Sequence, residues 1–359
     1  MTGTRRATLA GILVLALASL TGCGSGDPEA AASSTGSDQS AYGIALGDEG
    51  VADGIPGLED GTAVRVIEDV NHDAVAVPSD PQRVVTLSEP PLDGALALGV
   101  TPIGSVNGRG QSTMPNYLMD VASDITSVGS VSEFNYEAIA ALEPDLILTY
   151  ATTGTNEEVV SILEAIAPVY FTGYAGAEWK TTFRNVADAL NQSEAAEEVL
   201  DDFDTYAAEV KQELADAGYA DKTFSIVRWQ GSNASLILKE LPPGMALEAI
   251  GLQRPEAQDR EGSGHSEPIS LENLEDADAD YMFFGTLGGS SVDNPEAGGT
   301  ADLTGAQAAL DEAVTVPGFT ELTAYQEGHV ILVDGSLWTS TGGPILMQKI
   351  VEFVEQTLL

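Results

Sequence analysis

The residue types of this chain favour binding over catalysis. The sequence has no Gly-x-Ser-x-Gly elbow, no GxxxxGK[ST] phosphate loop and no HExxH zinc motif. With 14 Lys and Arg residues against 56 Asp and Glu residues and a net charge of −42, each arginine is a rare fixed positive charge. Arg109 lies in a glycine-rich loop, and Tyr150 ends an apolar segment. If the preceding segments are parallel strands, both residues lie at the carboxyl edge of a sheet, where open α/β sheets bind ligands.

The acidic composition also limits the partners. A strongly negative surface repels nucleic acid and anionic lipid, so we expect no nucleic-acid partner. Two explanations of the acidity stay open: a solvated surface suited to a saline habitat, or a surface shaped for a cationic ligand. We expect no metal site. The three histidines are far apart, and the acidic run Asp276–Asp280 has Tyr281 where a calcium loop needs its turn glycine.

The first 23 residues predict export. Arg5 and Arg6 form a positive region, and Leu9–Leu20 is an apolar run too short to span a bilayer core of roughly 30 Å. The small residues that follow lead into Cys23, the only cysteine, and this stretch resembles the lipobox of bacterial lipoproteins. The resemblance implies that residues 1–22 are removed as a signal peptide and that Cys23 carries a lipid. A free cysteine behind an ordinary signal peptide is the alternative.

The expected location of the mature chain follows from this leader. A lipid on Cys23 would hold the protein at the extracytoplasmic face of the cell membrane. Thr8 stands where a twin-arginine signal usually has an aromatic residue, so we expect general secretion. Residues 23–61 are rich in Gly, Ala, Ser and Asp without an apolar period, which predicts a disordered linker after the lipidated cysteine.

Strand and helix patterns alternate in the rest of the chain. Apolar runs such as Arg83–Leu87 and Asp145–Tyr150 predict strands, and helical patterns such as Leu92–Leu98 follow them. This alternation predicts an α/β fold with mostly parallel sheets. Apolar residues at helical spacing predict one long helix over residues 193–218.

The long helix divides the chain into two halves. Residues 62–192 form the predicted N-terminal lobe and residues 219–359 the predicted C-terminal lobe, each Rossmann-like. A helix of this length spans roughly 36 Å, enough to run from one lobe to the other. The predicted architecture is therefore two α/β lobes joined by a single backbone helix.

Several segments resemble those of bacterial iron-siderophore substrate-binding lipoproteins. The resemblance rests on TAVRVIEDVNHDAVAVPSDPQRVVTLS (Thr62–Ser88), LDGALALGVTPIG (Leu92–Gly104), VGSVSEFNYEAIAALEPDLILTY (Val128–Tyr150), LENLEDADADYMFF (Leu271–Phe284) and WTSTGGP (Trp338–Pro344). It covers nearly the whole chain after residue 60. It implies the helical-backbone class (class III) of substrate-binding proteins that feed ABC importers.

The resemblance implies a binding protein and no enzyme. It would be a monomer without a cofactor that captures a ferric siderophore and delivers it to the membrane subunits of an ABC importer. The same fold could instead hold haem or a corrinoid such as cobalamin, and a haem binder could use His265 or Tyr150 at its cleft. An extracytoplasmic enzyme and a purely structural surface lipoprotein are the alternatives from other classes.

A ferric siderophore is a bulky, often anionic chelate that already surrounds its iron, so its binder supplies arginine forks and aromatic faces. The resemblance places the strand end at Arg228 and Trp229 beside the ligand. The alternatives are a surface salt bridge for the arginine and core packing for the tryptophan. Arg109 and Tyr150 are further candidates, as is Trp338 in a Gly/Ser/Thr-rich loop. Two weaker candidates are Tyr174 and Trp179.

Two glutamates have a different implied role. The resemblance aligns Glu137 and Glu272 with docking glutamates, one on each lobe, that pair with arginines of the importer. An exposed charge pair of this kind contributes modest affinity but fixes the register of the two partners. The alternative is that each glutamate is simply favoured by a helix dipole in its first turn.

Overall fold

The computed structural model describes residues 39–287 and 300–359. The predicted signal peptide and Cys23 lie outside the described residues. The described residues belong to one compact unit. Within the described ranges, no helix combines the length and the apolar character needed to cross a membrane.

The first lobe is built on a five-stranded parallel sheet with the order β10-β9-β4-β5-β6. The strands before the long helix are β1 (Glu49–Val51), β2 (Ala63–Glu68), β3 (Ala74–Pro78), β4 (Val84–Thr86), β5 (Gly104–Ser105), β6 (Thr126–Ser127), β7 (Gly129–Ser130), β8 (Glu133–Phe134), β9 (Leu146–Thr149) and β10 (Val169–Phe171). The helices are α1 (Glu89–Ala97), α2 (Met119–Ala122), α3 (Tyr136–Ala141), α4 (Thr152–Thr155), α5 (Glu157–Glu164) and α6 (Trp179–Ala189), with a 3-10 turn at Asn116–Leu118. Strands β7 and β8 pair as a small hairpin.

A three-stranded antiparallel sheet, β1-β2-β3, precedes this lobe in the chain. Strand β1 pairs with β2, and the side chains of Ala52 and Ile55 are buried together with Val64 and Val66. The expectation that residues 23–61 form a disordered linker is therefore wrong for residues 39–61. The sequence pattern did not indicate a strand in residues 39–61, because the segment has few apolar residues. A short edge strand needs only a few, since its neighbours hold it in place.

One helix of 24 residues, α7 (Ser193–Asp216), connects the lobes. Its buried residues recur every three or four positions: Ala196, Leu200, Phe203, Ala207, Val210 and Leu214. This spacing gives the helix a single apolar stripe. The stripe belongs to one cluster of buried residues that contains side chains of both lobes. The helix is therefore packed along its length and acts as a rigid connection.

The second lobe has a mixed sheet with the order β13-β12-β11-β14-β15. Its strands are β11 (Phe224–Gln230), β12 (Asn233–Leu236), β13 (Glu267–Ile269), β14 (Tyr281–Gly285) and β15 (Val330–Leu332). Its helices are α8 (Pro242–Ala249), α9 (Leu303–Ala313), α10 (Thr323–Gln326), α11 (Gly335–Trp338) and α12 (Pro344–Leu358), with 3-10 turns at Leu274–Ala277 and Phe319–Glu321. Strands β11, β14 and β15 are parallel, whereas β12 and β13 join antiparallel.

The last helix, α12, packs against α1 and α6 of the first lobe as well as α7 and α8. Its N-terminus is capped by Asp93 of α1, whose carboxylate accepts the backbone N–H groups of Ile345 (2.9 Å) and Leu346 (3.0 Å). The Tyr117 hydroxyl donates to the same carboxylate at 3.0 Å. These N–H groups have no partner within their own helix. Asp93 therefore ties the first lobe to the end of the chain.

Candidate ligand-binding site

Arg228 is the central cation of the second lobe. It lies near the end of β11, where its guanidinium donates to the Ser266 hydroxyl and, at 3.4 Å, to the Thr339 carbonyl. Its Nε has no hydrogen-bond partner among the described residues. Burial, and then the charge of Arg109, lower the pKa of Arg228 from 12.5 to about 10. In the described ranges no carboxylate forms an ion pair with Arg228.

The first lobe contributes three side chains from neighbouring strand ends. Glu89 follows β4, Arg109 follows β5 and Tyr150 follows β9. The Glu89 carboxylate accepts the backbone N–H of Arg109 at 3.0 Å and lies 3.5 Å from its guanidinium Nε. Burial raises the pKa of Tyr150 to about 12, against the opposing effect of the Arg109 charge. The three groups are thus gathered at the carboxyl edge of the parallel sheet, as the sequence predicts for Arg109 and Tyr150.

The two arginines belong to different lobes yet interact electrostatically. Arg109 keeps 26% of its side chain exposed and has Glu89 as its partner, whereas Arg228, also half-buried, has neutral partners. A neighbouring like charge disfavours the charged form of a group in a protein interior, and the Arg109 charge acts on Arg228 in this way. An anion between them would relieve this repulsion. The arrangement is therefore suited to a negatively charged ligand.

Further polar atoms lie beside Arg228 in the loop that follows α11. The hydroxyls of Ser340 and Thr341 are buried and have no hydrogen-bond partner among the described residues. Their neighbour Thr339 accepts the Arg228 hydrogen bond through its carbonyl. Buried polar groups are normally paired. These hydroxyls are consequently candidates for hydrogen bonds to a ligand.

The two predicted tryptophan contacts are placed elsewhere. Trp229 is 1% exposed and packs against Phe284 and Phe319, with ring centroids 6.0 and 5.6 Å away. Successive side chains of a strand point to opposite faces, so Trp229 lies in the core because Arg228 faces the other side of β11. Trp338 is fully buried and stacks on Phe283 at 4.1 Å. Both residues are core residues, which corrects their assignment as ligand contacts.

The weaker candidates, Tyr174 and Trp179, make contacts of their own within the fold. The Tyr174 hydroxyl donates to Asn71 at 2.7 Å, and its ring packs edge-on against Phe171. Trp179, in the first turn of α6, packs edge-on against Phe203 of α7. Trp179 lines a cavity of about 770 Å³ between the lobes, bounded in the second lobe by Lys239, Glu240, Met245, Glu248, Ala249 and residues 261–264. Its volume lies within the range typical of small-molecule sites.

The two glutamates with a docking role in the resemblance are both exposed. Glu137 lies in the first turn of α3, which Asn135 caps by accepting the backbone N–H of Ala138. Glu272 lies just before the 3-10 turn of the second lobe, and its backbone N–H donates to Ser270. One is on each lobe, so both are accessible to a partner protein.

Sequence reasoning missed Glu89 and Ser266. Glu89 could have been found, because it follows the strand β4 and therefore shares the sheet edge with Arg109. Ser266 lies in a loop region without periodicity, 38 residues from the arginine that it contacts. Nothing in the sequence pattern indicates that contact. The site thus combines residues at predictable strand ends with residues supplied by loops.

Solved structures share this architecture. Staphylococcus aureus SirA in complex with staphyloferrin B has a TM-score of 0.67 and 24% identity, covering 82% of this chain and 98% of that one. Bacillus subtilis FeuA in complex with ferri-bacillibactin has a TM-score of 0.65 and 19% identity, with coverage of 82% and 98%. The α/β fold of two lobes joined by a long helix, expected from the sequence, is confirmed as that of class III substrate-binding proteins.

Sequence comparison agrees with the structural likeness. The chain is 29% identical over 288 residues to the probable siderophore-binding lipoprotein YfiY of Bacillus subtilis, covering 79% of this chain and 84% of that protein. It is 25% identical over 285 residues to the petrobactin-binding protein YclQ of the same organism, covering 78% and 83%. Residues 84–337 match the family model described as periplasmic binding protein. The chain therefore belongs to the periplasmic binding protein family.

Proposed function

We propose that this protein captures a ferric siderophore outside the cell and delivers it to an ABC importer. The observation that carries the proposal is the pair formed by Arg109 and Arg228, one from each lobe. Relatives named as binding siderophores or petrobactin support the ligand class. The function is binding and presentation, without chemical change of the ligand.

The arginine pair favours an anionic chelate. A buried guanidinium without a carboxylate partner is costly, and Arg228 has only the Ser266 hydroxyl and the Thr339 carbonyl as partners among the described residues. A carboxylate or catecholate oxygen of a ligand would supply the missing negative charge and accept charge-assisted hydrogen bonds. Tyr150 adds an aromatic face next to Arg109. The iron itself needs no protein ligand, because the chelate already surrounds it.

The remaining features support delivery. Glu137 and Glu272 are exposed on separate lobes, which suits docking to two membrane subunits of an importer. Lipidation of Cys23 would keep the protein near that importer, and two relatives are named as lipoproteins. We further propose that the protein acts as a monomer, since one chain supplies both lobes of the site.

A titration of residues 36–359 by tryptophan fluorescence tests the ligand class. The panel comprises a ferric tris-catecholate, ferric citrate, a charge-neutral ferric trihydroxamate, haem and cobalamin. We expect the anionic ferric chelates to bind more tightly than the neutral trihydroxamate, haem and cobalamin. Binding of haem or cobalamin alone would refute the proposal, and so would chemical conversion of a bound chelate. The variant Arg228→Met should lose the preference for anions, whereas Arg184→Met, which changes an exposed arginine paired with Glu197, should keep it.

A further inference from the structure

Two backbone contacts between the lobes are made by glycines. At the first, Gly110 lies against the carbonyl oxygen of Leu287. At the second, Gly264 packs against Gly176 and the carbonyl of Ala175. Gly110 and Gly176 belong to the first lobe, and their partners belong to the second. The lobes therefore meet backbone to backbone at two places.

No other residue type fits these contacts. A Cβ on Gly264 would lie 2.5 Å from the Ala175 carbonyl oxygen, and a Cβ on Gly176 would lie 2.6 Å from the Cα of Gly264. A Cβ on Gly110 would also approach the Leu287 carbonyl to less than 3.0 Å, a separation that real Cβ atoms essentially never show. Because the opposing atoms are backbone, they cannot move aside as a flexible side chain does. A methyl group at any of these positions must displace the facing backbone of the other lobe.

Both contacts adjoin the candidate site. Gly110 follows Arg109 directly in the sequence, and Gly264 lies two residues before Ser266, which accepts a hydrogen bond from Arg228. Separation of the lobes at either contact would therefore move one arginine away from the other. Small residues at an interface allow a closed arrangement that larger residues prevent.

We propose that Gly110 and Gly264 are closure residues, which allow the lobes to meet on the two sides of the arginine pair and so hold a ligand between them. The part of this inference that concerns ligand retention rests on the proposed function. The part that concerns lobe separation does not, because it follows from the backbone contacts alone. We expect Gly264→Ala to separate the lobes by about 1 Å at the contact, the difference between 2.5 Å and the 3.4 Å at which ordinary contact begins.

The test measures the distance between the lobes in residues 36–359, which contain no cysteine because Cys23 is the only one. Spin labels on Glu158→Cys and Glu312→Cys, two exposed positions on α5 and α9, report the separation by double electron–electron resonance. Gly110→Ala and Gly264→Ala should each shift the distance distribution to longer values, and the double variant should shift it further. If one variant fails to fold, the other tests the same proposal at the second contact.

Two further glycines serve as matched controls. Gly99 and Gly328 have φ of +75°, close to the +70° of Gly110 and +73° of Gly264, but a Cβ on either would meet nothing within 4 Å. Gly99→Ala and Gly328→Ala therefore introduce the same backbone strain without a contact between lobes. Their distance distributions should match that of the wild type.

Ligand release separates the two parts of the inference. For an anionic ferric chelate that binds the wild type, we expect each closure variant to raise the dissociation rate by about tenfold, because changes at an interface act mainly on that rate. Distances in folded Gly110→Ala and Gly264→Ala that equal those of the controls would overturn the closure proposal. A longer distance in a protein that binds no ferric chelate would support the closure contacts while refuting the proposed function.

Discussion

Replacing Arg228 by Met should make the protein more stable and its ligand binding weaker. Burial and the Arg109 charge lower the pKa of Arg228 from 12.5 to about 10, which corresponds to about 3 kcal/mol of unfavourable free energy for the charged form in the folded state. The variant also loses the hydrogen bonds to Ser266 and Thr339, each contributing about 1 kcal/mol. The difference leaves a net gain of about 1 kcal/mol in the free energy of unfolding.

The affinity should change in the opposite direction. Removal of the guanidinium takes away one of the two positive charges that face an anionic chelate, so we expect a loss of more than about tenfold in affinity, equivalent to about 1.4 kcal/mol. The assays are thermal unfolding without ligand, with an expected rise of about 2 °C, and a fluorescence titration with the anionic ferric chelate that binds the wild type. Arg184→Met is the matched control, because Arg184 is exposed and pairs with Glu197 on the surface. It should change stability by less than about 0.5 kcal/mol and leave affinity unchanged.

The opposite signs are what make this prediction diagnostic. An arginine that serves the fold would lose stability when replaced, and an arginine that serves neither fold nor ligand would change little. A variant that is both less stable and unchanged in affinity would refute the assignment of Arg228 to the site. Loss of affinity with no gain in stability would show instead that the hydrogen bonds to Ser266 and Thr339 outweigh the cost of the buried charge.

Three other perturbations test separate parts of the molecule. Burial raises the pKa of Asp93 from 3.8 to about 6, so the folded state holds a proton that the unfolded chain releases; the free energy of unfolding should therefore rise as the pH falls from 6 towards 4, by up to about 3 kcal/mol. Urea unfolding at several pH values measures this increase in the free energy of unfolding. In Asp93→Asn, the increase should be smaller by the contribution of Asp93. Ile55→Ala should lower the free energy of unfolding by about 2–4 kcal/mol because its side chain is buried; an unchanged urea midpoint would show that residues before β2 are not part of the folded core. Glu137→Arg combined with Glu272→Arg should leave chelate affinity intact and stop uptake of radiolabelled iron in cells, whereas Glu158→Arg, also exposed in a first helical turn, should not; uptake that survives the double change would remove the docking assignment.

Much of the fold could be predicted because it follows from local periodicity. The spacing of Leu200, Phe203 and Val210 already defines the apolar stripe of α7. The antiparallel edge of the second sheet was missed, although Gly231-Ser232 between two apolar runs is a two-residue hairpin signal. The structure pairs Gln230 with Asn233 across this turn. The prediction of mostly parallel sheets is confirmed, and this hairpin adds two antiparallel strands at one edge of the second sheet.

The candidate site could be predicted only where it depends on strand ends. Arg109 and Tyr150 follow strands of one parallel sheet, so their proximity follows from the fold class. Arg228 and Trp229 could not both face the cleft, because adjacent residues of a strand point to opposite faces, and this rule alone would have removed the tryptophan. The contact between Gly176 and Gly264 joins loops of different lobes. Neither propensity nor spacing carries information about such a contact.

The acidic surface and the arginine pair act on an anionic ligand over different distances. A net charge of −42 repels an anion as it approaches, but salt at physiological concentration screens that repulsion beyond roughly 8 Å. Arg228 is half-buried, where screening is weaker than at the surface and each hydrogen bond to an anion counts for more. If the proposed site is correct, the ligand is therefore selected mainly at contact, by groups from both lobes that the closed cleft brings together. Because Arg109 and Arg228 come from different lobes, an anion between them also opposes their repulsion and stabilises the closed arrangement that the glycine contacts allow. The two proposals are therefore linked: if Arg109 and Arg228 recognise the ligand together, its affinity depends on how closely the lobes meet.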